Sequence, residues 1–430
     1  MRERREIRTD RTLPAAKVRV HQVRAKGRVG LVLPPGWLTA LGASAAGPLE
    51  IVEGAGSLTV RPSLHTLARV TIEPTARCNL ACQTCIRNTW TEPLGDMSPA
   101  TFARLAASLG RFRTLESVMF GGFGEPTVHP DILAMIGRIG ALGVRTELTT
   151  NGTTLDDALV AGLFEARLDR IWVSFDGAEA PSFTSVRKGA SFERIVASLQ
   201  RLQEENARRR HQIAVGIAFV LLRRNVGDLK ALDELSRRVG ADRILVSSVL
   251  PYSADMEKEM LCLLTLTTET LTFDPGKVEM SLPRIDVSPF AREAIYDLLQ
   301  SRGNLTMMGN RIFAPSRHCR FIEDRTTFVR WDGKVAPCMA LLHDHTTFLY
   351  GAERSVRSFA LGDLADSPLG AIWRSKRYRE FRERVRRFDF SPCHVCGGCQ
   401  LLEQNVEDCY GNAHPACGGC LWAQGIVQCP

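Results

Sequence analysis

The chain has 430 residues, 44% of them hydrophobic and 24% charged, with a net charge of +8, enough apolar material for a large enzyme core in two or three domains. No apolar run reaches membrane-spanning length, the longest being the strand-sized Ile213 to Leu222. The Arg-rich amino terminus leads into no apolar secretory segment. A cytoplasmic protein with no membrane partner is therefore expected, and its thirteen cysteines, an odd number, read as reduced metal ligands rather than disulfides.

In chain order, residues 1 to 14 are charged and expected to be disordered. From Lys17 to Arg61, strand-like runs at Val18 to Val23, Val29 to Leu33, Leu49 to Val52 and Leu58 to Val60 flank a Pro34-Pro35 break and a short helix at Trp37 to Leu41. This small β-rich module, within residues 1–65, resembles the swapped-hairpin AbrB-like fold. It carries no arginine stripe, so a structural or docking role is favoured and a nucleic-acid partner is not expected. After Val70 strands alternate with helices. The strands are Val70 to Glu73, Ser117 to Phe120, Thr146 to Thr150, Arg170 to Phe175, Ile213 to Val220 and Arg243 to Val249. The helices are Pro99 to Leu109, Pro130 to Leu142, Leu155 to Ala166, Phe192 to Glu204 and Val226 to Val239. The fold class is α/β, a partial (β/α)6 TIM-like barrel over residues 66–255, whose strand carboxyl ends gather the chemistry. Residues 256–318 form a linking region with a strand at Leu263 to Phe273 and a helix at Ala291 to Leu299. Residues 319–430 are cysteine-rich. Within them Tyr378, Phe381, Val385 and Phe388 recur at helical spacing, which makes the arginines of the 374–387 run the wet face of a packed helix.

Cys78, Cys82 and Cys85, spaced C-x-x-x-C-x-x-C, follow the first barrel strand. Zinc usually takes two separated pairs of ligands, whereas three thiolates on one loop can hold three irons of a [4Fe-4S] cube and leave the fourth open. Gly121-Gly122-Phe123-Gly124-Glu125-Pro126 follows the second strand; its glycines permit close backbone approach and its carboxylate can accept from an ammonium. Thr149-Thr150-Asn151-Gly152 closes the third strand and Ser174-Phe175-Asp176-Gly177 the fourth, while Arg187 is an anion-contact candidate on the loop before the fourth helix. Towards the carboxyl terminus, Cys319 and Cys338 bracket a hairpin turning at Asp332-Gly333. Cys393, Cys396, Cys399, Cys409, Cys417, Cys420 and Cys429 follow. Nine cysteines suit two four-ligand sites of iron or of zinc equally by count, and isolated Cys262 reads as a buried thiol.

The triplet and the Gly-rich stretch resemble the radical S-adenosylmethionine superfamily, with the strand-end tetrapeptides in the order of its MoaA-like members. The carboxyl-terminal array resembles SPASM or twitch regions. The resemblance implies a catalytic [4Fe-4S] cluster on Cys78, Cys82 and Cys85. It implies S-adenosylmethionine bound by Gly122, Gly124, Glu125, Thr150, Asn151, Ser174, Asp176 and Arg187, and one or two auxiliary [4Fe-4S] clusters on the nine later cysteines. The superfamily cleaves S-adenosylmethionine reductively to a 5′-deoxyadenosyl radical, with electrons from a donor such as ferredoxin or flavodoxin. Glu73 to Leu80, Arg87-Asn88-Thr89-Trp90 and the tail from Asp408 to Pro430 resemble the maturase set of tungsten-cofactor oxidoreductases. A pterin-type small molecule or a tungsten oxidoreductase client is then the expected partner. A peptide-modifying maturase is the first alternative, and an iron-sulfur DNA-binding redox sensor an alternative of another class. The ending Gln428-Cys429-Pro430 in place of a Gly-Gly tail argues against the GTP-cyclising enzyme itself.

Overall fold

The structure, a computed structural model, describes residues 48–54, 57–261, 319–349, 351–391, 393 and 399–430, with the backbones of short strands at 21–25, 28–32, 279–282, 304–307 and 310–311. The helices expected at 37–41 and 291–299, the strand expected at 263–273, and Cys262 and Cys396 lie outside the described residues. Two antiparallel hairpins lead the chain: β1 (His21–Ala25) with β2 (Arg28–Val32), and β3 (Leu49–Gly54) with β4 (Ser57–Pro62). Glu50 ties the second hairpin to the body. Its Oε1 accepts from Ser63 Oγ at 2.8 Å and its Oε2 from Arg386 Nη1 at 2.6 Å.

Six strands follow in parallel, each beside its sequence neighbour: β5 (Arg69–Ile72), β6 (Ser117–Phe120), β7 (Arg145–Thr150), β8 (Arg170–Ser174), β9 (Ala214–Leu221) and β10 (Ala241–Ser248). Parallel neighbours need crossovers, and α1 (Pro99–Leu109), α2 (Ile132–Gly140), α3 (Asp157–Glu165), α4 (Ala180–Val186), α5 (Phe192–Arg208) and α6 (Leu232–Val239) supply them. Ser98, Asp156 and Ser191 start α1, α3 and α5 by accepting the amides of Thr101, Leu159 and Arg194, which satisfies otherwise orphaned helix donors. Strand alternation then sorts the two faces. Val70, Ile72, Val118, Phe120 and Leu148 are buried in the layer shared with the helices, while Thr71, Met119, Glu147 and Thr149 face a cavity of about 340 Å³ inside the barrel.

Two helical expectations change. The stretch expected as a helix from Val226 begins instead as a 3₁₀ segment, Arg223–Ala231, before α6. Buried Asn225 is the cause: its Oδ1 accepts the Leu222 amide at 2.7 Å and its Nδ2 donates to the carbonyls of Asp176 and Val220 at 2.9 Å, a tighter turn than an α-helix start. The loop before α5 holds α4, which the sequence did not reveal.

Beyond α7 (Ala254–Lys258), β11 (Glu279–Leu282), β12 (Asn304–Met307) and β13 (Asn310–Arg311) form their own small sheet. After α8 (Arg320–Glu323) the hairpin of β14 (Thr326–Val329) and β15 (Lys334–Ala336) rejoins the barrel. β14 runs parallel to β5 in the register Thr326 to Arg69 through Val329 to Ile72. All four β14 residues are buried, as a central strand covered on both faces requires. β16 (His345–Leu349) pairs with β17 (Ala352–Val356), and β18 (Gly362–Asp363) ends the nine-stranded sheet beside β15. At the opposite edge the tail meets β10, with the Ser248 amide donating to Ile426 O at 3.1 Å and the Gln428 amide to Ser247 Oγ at 2.8 Å.

α9 (Leu369–Arg374) and α10 (Lys376–Arg387) cover the β14 side. Tyr378, Phe381, Val385 and Phe388 are buried as their spacing predicts, but the wet-face reading fails at Arg382. Its side chain is buried, with the guanidinium 3.8 Å from the Trp373 ring centre and Nη1 donating to Trp373 O at 3.0 Å. Stacking on an aromatic face, worth about 2 kcal/mol when desolvated, replaces water around the charge.

Candidate active site

The cysteine loop leaves β5 at its carboxyl end and is pinned from several sides. Thr75 Oγ1 donates to Asp96 Oδ1 at 2.5 Å and the Ala76 amide to Gly95 O at 2.9 Å. Farther along, the Gln83 amide donates to Val186 O at 3.1 Å, Asn88 Nδ2 to Cys82 O at 3.2 Å, and the Tyr252 hydroxyl to Gln83 O. All three thiols are half-buried and free. Burial pushes Cys82 up to about 11, with the Arg187 guanidinium pulling the other way. Donors already face sulfur: the Leu80 amide is 3.4 Å and Asn151 Nδ2 3.8 Å from Cys78 Sγ. Free thiols on one loop, with N–H donors and a guanidinium beside them, fit an anionic iron-sulfur cluster, since metal binding takes the protons that burial holds on.

The Gly-rich loop packs against the segment that launches the cysteines. Gly122 has φ +115°, and a Cβ there would stand 2.6 Å from Glu73 Cγ; a Cβ on Gly124 would overlap the Thr75 carbonyl and come within 2.8 Å of Arg77 O. Only glycine permits these approaches. Glu125 sits differently from its expected place. It is 3% exposed; Oε1 accepts from Thr127 N, Thr127 Oγ1 and Thr150 Oγ1 at 3.1, 2.6 and 2.8 Å, and Oε2 from the Asn151 amide at 2.6 Å. Burial raises its pKa against the pull of these donors. The carboxylate buckles the β6 loop to the end of β7 instead of offering itself to the cleft, because four donors use most of its acceptor capacity.

Asn151 is the hub at the end of β7. Its Nδ2 donates to Asn79 Oδ1 at 2.9 Å, its Oδ1 accepts from Thr153 N and Oγ1 at 2.9 and 2.6 Å, and Asn79 Nδ2 returns to Thr153 Oγ1 at 2.8 Å. Ser174 is half-buried at the end of β8, on the same strand face as Trp172. Asp176 and Arg187 are buried together, with Oδ2 and Nε 2.9 Å apart. Arg187 closes α4 instead of standing on an open loop, so its charge is shared with Asp176 and with the thiol of Cys82. These residues converge below the cysteine loop.

In the carboxyl-terminal region Cys319, Cys338, Cys417 and Cys420 line one apolar cavity. Burial raises all four; Cys319 reaches about 12. His345 lines the same cavity with Nε2 unpartnered, while Nδ1 lies 3.0 Å from His343 O. Among the described residues no three His, Cys, Asp or Glu side chains converge on a single-ion site; the ligands of a cube, bound to different irons, stand farther apart. Cys409 Sγ lies 3.1 Å from Ser391 Oγ, and buried Asp408 gathers the amides of Ser391, Tyr410 and Asn412 at 3.0 Å each. Cys399 and Cys409 are exposed, whereas Cys393 is buried. Cys429 receives the Trp422 indole N–H at 3.2 Å, and burial pushes it up to about 11.

Sequence reasoning gave no role to Glu92 or His343, and Glu73, Asn79 and Trp90 entered as parts of the stretches that resemble the maturase set. Glu73 and His343 are buried and joined at 2.8 Å, His343 reaches Glu92 at 3.2 Å, and Trp90 stacks on the His343 ring at 4.1 Å. The signals were an acidic residue closing an apolar strand and a His-x-His pair just past the hairpin.

Two family models match, Radical SAM superfamily over residues 72–235 and SPASM iron-sulfur cluster-binding domain over residues 319–400. The tungsten-containing aldehyde ferredoxin oxidoreductase cofactor-modifying protein of Pyrococcus furiosus is 29% identical over 366 residues, covering 84% of this chain and 96% of that relative. Mycofactocin maturase MftC of Mycobacterium tuberculosis is 25% identical over 374 residues, covering 84% of this chain and 80% of its own length. Among solved structures, histidine-tagged anSMEcpe with bound AdoMet superposes with a TM-score of 0.51 at 15% identity, over 84% of this chain and 93% of that one.

Proposed function

We propose, for a chain that belongs to the radical S-adenosylmethionine superfamily and carries a SPASM iron-sulfur region, that Cys78, Cys82 and Cys85 hold the catalytic [4Fe-4S] cluster and that the adjoining strand ends hold the cosubstrate. When bound and reduced, that cluster supplies the electron that cleaves S-adenosylmethionine to the 5′-deoxyadenosyl radical, which takes a hydrogen atom from the substrate. The chain's own residues bind and orient. Gly122 and Gly124 let the cosubstrate loop pack against the segment that launches the cysteines, Glu125 fixes Thr150 and Asn151 beside the cysteine loop, and the Arg187 guanidinium, anchored by Asp176, offsets negative charge at Cys82. Ser174 faces the barrel interior, where a substrate is shielded from water. Barrel residues 66–255, linking residues 256–318 and auxiliary residues 319–430 form the working division, with residues 1–65 as a docking module.

One auxiliary cluster belongs on Cys319, Cys338, Cys417 and Cys420, because these four thiols share a cavity. A second belongs on Cys393, Cys396, Cys399 and Cys409, leaving Cys429 over as a thiol of the barrel cavity. The reading rests most on the cysteine loop at the carboxyl end of β5 with its sulfur-facing donors. For the client we favour a tungsten-pterin oxidoreductase or its cofactor, supported by a relative similar along nearly its whole length. The similarity to a PqqA peptide cyclase supports a peptide substrate as the second reading. The thiols of the cysteine loop and of the cavity lined by Cys319, Cys338, Cys417 and Cys420 are free, in keeping with a reducing cytoplasm and a ferredoxin- or flavodoxin-type donor.

The test uses anaerobic, reconstituted, reduced protein given S-adenosylmethionine. Release of 5′-deoxyadenosine that disappears in Cys82→Ala is the expected result, and undiminished release in the variant overturns the assignment. Purification from oxygen-free cells then asks whether a tungsten oxidoreductase or a short precursor peptide accompanies the chain.

A further inference from the structure

A buried charge relay links the carboxyl-terminal region to the Gly-rich loop. His343 comes from the turn before β16, with a side chain 1% exposed, and its two ring nitrogens face carboxylates on both sides. Nε2 is 2.8 Å from Glu73 Oε2 and Nδ1 is 3.2 Å from Glu92 Oε2. A neutral imidazole has one N–H and would aim a lone pair at one of these oxygens; only the imidazolium donates to both. The stack on the Trp90 face at 4.1 Å suits the same cation.

Glu73 is the pivot. While Oε2 takes the His343 proton donor, Oε1 accepts the Phe123 amide at 3.2 Å, and its side chain fills the space that a Cβ on Gly122 would need. Glu73 thus holds the peptide groups of Gly122 and Phe123, and His343 holds Glu73. The remaining titratable or charged groups facing His343 are Glu92, Arg330 with Nη1 2.7 Å from Glu92 Oε2, Asp332 paired to Arg330, the neighbouring Asp344, whose amide donates to Glu92 Oε1 at 2.8 Å, and His345, whose Nδ1 lies 3.0 Å from His343 O and which burial holds neutral.

We propose that His343 is a positioning residue for the cosubstrate-binding loop: as an imidazolium bridging Glu73 and Glu92, it fixes the Glu73 carboxylate that orders Gly122 and Phe123. The inference rests on the assignment of that loop to S-adenosylmethionine. Loss of the His343 proton leaves the buried Glu73 carboxylate without its cationic partner, a costly state that frees the loop. Burial opposes the charge, and the hydrogen bonds to Glu73 and Glu92 outweigh burial, raising the His343 pKa. Cosubstrate binding therefore weakens as pH rises through that value and is complete below it.

The experiment titrates S-adenosylmethionine into full-length, cluster-loaded protein and follows the electron paramagnetic resonance signal of the reduced catalytic cluster across pH. His343→Gln keeps a donor near the Nε2 position towards Glu73, whereas His343→Asn keeps one near Nδ1 towards Glu92. Expected are a Gln affinity tenfold or more below the wild type at neutral pH and equal to the alkaline limit of the wild type, since an uncharged donor towards Glu73 reproduces the deprotonated imidazole, a further loss for Asn and Ala, and a wild-type alkaline fall-off that all three variants lack. Amide exchange of the 121–125 peptide without cosubstrate should quicken in all three variants, more in Asn and Ala than in Gln, while iron content stays constant. Equal affinities in Gln, Asn and Ala, or an unchanged alkaline fall-off in the variants, overturn the proposal. A wild-type signal that ignores S-adenosylmethionine removes the loop assignment and the proposal with it, and is told apart from failure of His343 alone because no variant is needed to see it.

Discussion

Glu125→Gln tests the most specific departure of the site from its sequence pattern. The substitution keeps shape and removes charge. With its oxygen left at the Oε1 position the amide retains the bonds from Thr127 and Thr150, so its nitrogen must face the Asn151 amide across the 2.6 Å now spanned by Oε2. A charge-assisted bond of about 1.5–3 kcal/mol is lost and a buried donor worth about 1–3 kcal/mol is left unpaired. Their sum is about 2.5–6 kcal/mol, and the reverse orientation keeps the Asn151 bond and lets the two threonine hydroxyls turn to accept, but sets the nitrogen against the Thr127 amide at a similar cost. If about 3 kcal/mol of this falls on the loop, cosubstrate affinity drops roughly 100-fold at 1.4 kcal/mol per tenfold. The assay pairs a cosubstrate titration with hydrogen exchange of residues 145–153 in cosubstrate-free protein. Faster exchange together with weaker binding is expected. Weaker binding with exchange unchanged would mean that the carboxylate meets the ligand directly, and unchanged affinity would refute the buckle altogether.

Gly124→Ala should abolish 5′-deoxyadenosine formation while the carboxyl-terminal clusters still load, because its Cβ meets two backbone carbonyls of the segment before the cysteines and backbone yields little; turnover near the wild-type rate contradicts that packing. Acid stability gives another readout. Glu92 is pushed up by burial but pulled down further by His343, the Asp344 amide and Arg330, to about 2 from 4.5. The unfolded chain binds the extra proton between those values, so the Glu92 contribution is present above 4.5 and lost as pH falls towards 2. Urea midpoints should decline more steeply there in the wild type than in Glu92→Gln, and parallel declines remove Glu92 from the acid response.

Local chemistry carried much of this protein into view. Three thiols within eight residues, glycines that no other residue could replace, and Val70 and Ile72 alternating with Arg69 and Thr71 are properties of consecutive residues, and they announced the cysteine loop, the Gly-rich loop and the parallel strands. What only the tertiary structure decided depends on partners that folding brings together, from nine positions apart to 270. That β14 continues the barrel sheet beyond β5 follows from burial on both faces of Thr326 to Val329. Arg382 abandons the wet face because Trp373 offers a ring, Glu125 turns inward because Thr150 and Asn151 bring donors to it, and four thiols between Cys319 and Cys420 choose one another by sharing a cavity. The Glu73–His343 contact spans 270 positions. Periodicity and spacing report which face a residue presents; a buried charge is settled by whichever ring, donor or opposite charge the folded chain brings to it, and spacing along the sequence does not reveal that partner.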